Sequence, residues 1–156
     1  MDLPFDITVE VAVDTKDVDV HALRDLAGRV MAGESVERGT SLAILITGDD
    51  EVRELNARFL GIDEPTDVLS FPDESEEFVN APGQPPHLGD IAISLPTAIR
   101  QAEALGHGLD AELAHLLVHG ILHLCGYDHV DNPEEEARMR AREEHYLGDL
   151  RHVHLH

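Results

Sequence analysis

The stretch from Asp110 to Gly126 is the most apolar of the chain, and histidines interrupt it at a fixed interval. In AELAHLLVHGILHLCGYDH, His115, His119 and His123 stand four residues apart. On an α-helix, residues i and i+4 differ by about 40° and about 6 Å, so these imidazoles share one face. Gly126 stands where a helix ends and the chain reverses through a positive φ. His129, three residues on, then folds back over the face that holds His119 and His123. The reading is a central helix with a site on it and on the turn that follows.

Two helix-borne nitrogens and a third from the turn make a facial set with a fourth position open. Zn²⁺ held at about 2.0–2.1 Å by three imidazoles keeps a water whose pKa falls towards about 7. One Zn²⁺ per chain is therefore expected on His119, His123 and His129. The spacing equals that of the metzincin proteases, where a Glu after the first His is the general base. Here that position is Gly120, so a peptidase would lack its usual proton acceptor. Glycine inside a helix costs about 1 kcal/mol relative to alanine. Close approach of a substrate or backbone would explain it, and so would tight core packing. His115, one turn before the set, reads as a residue behind the ligands or facing substrate, or as plain packing. Asp128 orients a ligand imidazole or caps the turn. Cys125 lies on another face from His123 and reads as core. His152, His154 and His156 alternate at the chain end, where a frayed terminus is expected.

The rest of the chain supplies what packs around that helix. Ile7, Val9, Val11 and Val13 alternate within 7–15, the period of a strand with one buried face. Asp19 precedes apolar residues at helical spacing up to Gly33, as a cap would. SLAILITG (41–48) reads as a second strand, and DDEVRELNARFL as a helix capped by Asp49 or Asp50. VLSFP (68–72) and GDIAISL (89–95) read as two more strands, separated by an acidic, proline-rich loop at 73–88. Pro96 suits the first turn of a helix to about Leu105. Residues 133–147 suit a helix with Glu134–Arg138 and Glu136–Arg140 pairs. The order βαβαββααα makes an α+β domain, a small sheet carrying about five helices. At 156 residues it is one domain, 1–150, with 151–156 as a frayed tail. A single cysteine excludes an intramolecular disulfide framework. Neither an apolar run of membrane length nor a basic leader is present, so a cytoplasmic chain without membrane contact is expected.

HGILHLCGYDH (119–129), with LNARFLGIDEPTDVLSFP (55–72) and LGDIAIS (88–94) in the same order, resembles the YbeY family of bacterial endoribonucleases. The likeness covers about residues 40–147. It implies a small mixed four-stranded sheet with His119, His123 and His129 as zinc ligands. It also implies metal-dependent cleavage of single-stranded RNA in ribosomal RNA maturation and ribosome quality control. Ribosome-associated proteins are then expected partners. One position departs from the family: an arginine commonly follows the aromatic residue after the Leu-Asn pair, and here Leu60 follows Phe59. Arg58, on the other side of Phe59, is the nearest cation in sequence and joins His115 and Asp128 as a catalytic candidate.

The formal net charge of −21 opposes non-specific binding to nucleic acid. The acids are uneven, however. From Pro96 to Val130 they are Glu103, Asp110, Glu112 and Asp128. A bound divalent cation would add two positive charges there, within a screening length of about 8–10 Å. Arg53, Arg58, Arg138, Arg140 and Arg142 are candidates for a rim, the last three reading rather as a solvated, salt-bridged face. Weak affinity for free RNA and delivery by partners are expected. Two other functions compete: an assembly factor with little catalysis, and a zinc hydrolase of peptide or amide bonds.

Overall fold

The computed structural model describes residues 5–64, 66–72, 86–127 and 133–154, with side chains of the last helix described to Gly148. Four strands, β1 (Asp6–Val11), β2 (Ser41–Thr47), β3 (Val68–Pro72) and β4 (His87–Ser94), form one sheet in the order β1-β2-β4-β3. β1, β2 and β4 run parallel, and β3 pairs antiparallel with β4, so the sheet is mixed. Five helices accompany it among the described residues: α1 (Val20–Gly33), α2 (Asp49–Leu60), α3 (Leu95–Leu105), α4 (Leu109–Leu124) and α5 (Pro133–His154). None is long and apolar enough to cross a membrane.

The alternation of the strands decides which face each residue serves. Ile7 of β1, Leu42, Ile44 and Ile46 of β2, and Ile91 and Ile93 of β4 join one core with α1 and α4. Ala92 and Leu69 face the other side, where Val52 of α2 covers them. α4 is central: it packs on α1, α3, α5, β3 and β4. The expected long loop at 73–88 lies outside the described residues except at its end, where β4 starts earlier than its sequence suggested.

Local chemistry matches most of the expected boundaries. Asp19 caps α1, its carboxylate accepting from the Ala22 N–H at 3.0 Å. β1 stops at Val11, short of the expected Thr15. The expected cap of α2 is corrected: Gly48 is the N-cap, with no side-chain cap. The Asp49 carboxylate instead accepts from Ser94 Oγ, from Thr97 Oγ1 at 2.6 Å and from Arg100 at 3.1 Å, tying α2 to the start of α3. On α5, Glu136 pairs with Arg140 as expected, but Arg138 meets Glu135 at 3.0 Å rather than Glu134.

The glycine of the GDI motif has a steric reason. Leu88 is an extra residue in the register of β4 against β2, and Gly89 beside it takes φ +155°. A Cβ there would lie 2.5 Å from the Phe71 carbonyl oxygen of β3 and 2.8 Å from the Leu124 side chain. Backbone cannot yield as a flexible side chain can. Gly89→Ala is expected to destabilise the fold by about 2 kcal/mol or more, read by urea denaturation. An unchanged midpoint would contradict the packing described.

Candidate metal centre and nuclease site

α4 is buried along almost its whole circumference. From Ala111 to Leu122 only positions 115 and 119 are not buried, and the open stripe continues at His123. The histidine row is thus the one face that the fold leaves accessible. That face forms a wall of a cleft of about 420 Å³, whose opposite side includes Leu60 of α2, Thr66, Asp67 and Ser70. None of the described lining residues is Lys or Arg.

Within the row the rings converge. His119 Nε2 and His123 Nε2 stand 3.1 Å apart, with ring centroids separated by 4.6 Å. His115 is set back, its ring 6.2 Å from that of His119. After His123 the helix ends as expected. The Gly126 N–H bonds the His123 carbonyl at 3.0 Å and the Tyr127 N–H bonds the Leu122 carbonyl at 3.1 Å, with Gly126 at φ +104°. This double bond pattern closes a helix and turns the chain back. Asp128 and His129 follow immediately, outside the described residues.

A residue that sequence reading missed completes the first layer behind the rings. Glu143 of α5 is 8% exposed, and its Oε2 lies 2.7 Å from His119 Nδ1. Its other oxygen lies 3.8 Å from His115 Nε2. Burial pushes this carboxyl up, but hydrogen bonds and charges from His115 and His119 outweigh burial and hold it at about 2. A signal was present: Glu143 stands four residues after buried Met139 and four before buried Leu147, an acid on the inward stripe of a helix. Such an acid requires a partner.

Gly120 and Cys125 are also accounted for. A Cβ on Gly120 would meet the Ile91 side chain of β4 at 3.2–3.4 Å, so core packing explains the missing side chain. Cys125 packs against the core. Burial, with the Glu34 charge adding to it, pushes its thiol up to about 11, far from the thiolate that a metal ligand must be.

The expected rim of arginines is divided among other partners. Arg58 bonds Glu54 at 2.7 Å and lies over the Phe59 ring, and the described cleft lining does not include it. Arg53 pairs with Asp63 at 2.8 Å. Arg142 turns inward to Glu34, 2.7 Å away. The same Glu34 carboxylate accepts from Tyr146 at 2.5 Å and from Tyr127 at 2.8 Å, so it joins the end of α1 to α5 and to the turn after α4. Burial raises the Glu34 carboxyl, but bonds from Tyr146, Tyr127 and Arg142 outweigh it, and the net shift is downward. A lowered folded pKa stabilises fully above the unfolded value, about 4.3 for Glu, and the stabilisation is lost as pH falls through the folded pKa. Glu34→Gln is expected to cost about 2 kcal/mol at pH 7, with the difference from the unsubstituted chain narrowing below pH about 4. Denaturation midpoints at pH 7 and pH 3 read it, and a constant difference would contradict the assignment.

Comparison with known proteins agrees with the residues quoted above. The family model described as Endoribonuclease YbeY matches residues 8–151. The chain belongs to the YbeY family. It is similar to the Endoribonuclease YbeY of Chloroflexus aurantiacus, at 48% identity over 90% of this chain and 93% of that one. It is also 51% identical to the Endoribonuclease YbeY of Chloroflexus aggregans, over 88% of this chain and 92% of that one. The solution structure of TM1509 from Thermotoga maritima matches with a TM-score of 0.60 and 26% identity, covering 94% of this chain and 93% of that one. Leu60, the position at which the sequence resemblance implies an arginine, lines the histidine cleft.

Proposed function

We propose that the chain is a zinc-dependent endoribonuclease of single-stranded RNA, acting in ribosomal RNA maturation and ribosome quality control in the cytoplasm. The observation that carries this reading is the pair of Nε2 atoms 3.1 Å apart in the cleft of a YbeY-family fold. Two ring nitrogens can face each other so closely only by sharing a proton or a cation. Nitrogens bound at about 2.0–2.1 Å around a tetrahedral ion stand about 3.3 Å apart, so the pair fits such an ion. His129, two residues beyond Tyr127, is the proposed third ligand.

A bound zinc ion would supply Lewis-acid polarisation of a phosphate oxygen and a lowered pKa for the attacking water or hydroxyl. The chain's own groups do the rest. His119 and His123 would hold the ion against α4. His115 lies on the same wall, one turn away, and is the proposed carrier of a proton, with Asp128 beside His129 as its alternative. Thr66 and Ser70 offer hydroxyl donors across the cleft. With no described arginine or lysine in the lining, these donors leave much of the phosphate charge unmet. Weak affinity for free RNA follows, together with delivery by the ribosome and its associated proteins, given the net charge of −21.

A peptidase reading is disfavoured by Gly120, which packs on Ile91 where a catalytic Glu would be needed. The test is cleavage of a single-stranded RNA oligonucleotide by protein stripped with chelator and then restored with Zn²⁺. Cleavage that disappears and returns is expected. Activity indifferent to the metal would overturn the proposal, and no turnover in any state would favour the assembly-factor reading.

A further inference from the structure

We infer that Glu143 is a positioning residue that sets the tautomer of His119 and presents its Nε2 to the metal. The inference rests on the metal reading above and adds a residue to it from another helix. Neutral imidazole carries one N–H, and the nitrogen that bears it cannot bind a metal. An ionised carboxylate has only acceptors, so at 2.7 Å it requires the proton to sit on Nδ1 of His119. The lone pair is then on Nε2, the atom that faces His123.

Three features make the contact more than a chance pairing. Among the described residues the buried charged side chains are Glu112 and Glu143, and an uncompensated carboxylate there would be costly. Its Oε1 lies 3.8 Å from His115 Nε2, so the same carboxylate draws His115 towards α5 while His119 and His123 converge. Its neighbour Arg142 bonds Glu34, which holds the Tyr127 hydroxyl. Adjacent residues of α5 thus hold the helix that bears His119 and His123 and, at Tyr127, the turn that follows it.

The test uses the full chain. In the metal-free protein at pH 8, long-range ¹H–¹⁵N correlation spectra are expected to show His119 as the Nδ1–H tautomer. Glu143→Gln retains the shape but not the charge, and its Zn²⁺ affinity, measured by competition with a chromophoric chelator, is expected to fall about 10–100-fold. Glu136→Gln, which alters an exposed pair on the same helix, is expected to leave that affinity unchanged. His119 found as the Nε2–H tautomer would overturn the inference, as would a folded Glu143→Gln variant with unaltered affinity. The spectrum of the unsubstituted protein decides the matter if the variant does not fold. A protein that shows the Nδ1–H tautomer but takes up no zinc would sink the metal reading alone.

Discussion

Replacing His119 and His123 together by alanine is expected to abolish zinc uptake and to lower RNA cleavage by about 10³-fold or more. The size follows from the several kcal/mol of transition-state charge stabilisation that a bound ion contributes, at about 1.4 kcal/mol per tenfold in rate. The fold is expected to survive, because neither ring is buried and alanine is a strong helix former. One cost is added. Removing His119 leaves Glu143 with a weaker set of partners inside the protein, so some loss of stability accompanies the loss of metal. Far-UV circular dichroism separates the two effects. Cleavage that persists in this variant would point to a contaminating nuclease or to a different site.

Leu60→Arg is expected to raise RNA cleavage, by about 10²–10³-fold if the new cation meets the charge that develops on the phosphate. Leu60 is the last residue of α2, half exposed, and its side chain lies on the wall of the histidine cleft. It is the position at which the sequence resemblance implies an arginine. An arginine there can lay its stem along the apolar surface now covered by leucine and extend its guanidinium into the cleft. Arg58 cannot fill the same role in the arrangement described, since Glu54 holds it at 2.7 Å outside the cleft lining. The comparison is kcat/KM on one oligonucleotide for both proteins. It is repeated in the His119→Ala, His123→Ala background, where no gain is expected. An unchanged rate would show that the site does not lack a cation at this position.

How much of this was legible in the sequence depends on the range of each interaction. The Asp19 cap, the histidine row and the Gly126 turn are local, and each appears where the residue pattern put it; the period-two strand is right in kind but ends at Val11 rather than Thr15. The cap expected at Asp49 fails because a carboxylate that accepts from Ser94 and Thr97 and one that caps a helix look alike until the partners are in place. Glu143 and His119 lie 24 residues apart, and Arg142 and Glu34 lie 108 apart. Pairings over such separations depend on how helices cross, which local periodicity does not encode. Gly120 is intermediate: its sequence position raised the question, and only the packing of Ile91 answered it. The charge of −21 was similarly ambiguous. Arg53, Arg58 and Arg142, the candidates to offset it near the site, are ion-paired with Asp63, Glu54 and Glu34, which strengthens the expectation of delivery by partners.

The most direct test of the metal assignment is native mass spectrometry of the intact chain after exposure to equimolar Zn²⁺. A mass increase of one zinc per chain is expected, absent from the His119→Ala, His123→Ala variant. A chain that takes up no zinc, or a double variant that takes up as much as the unsubstituted protein, would contradict the account.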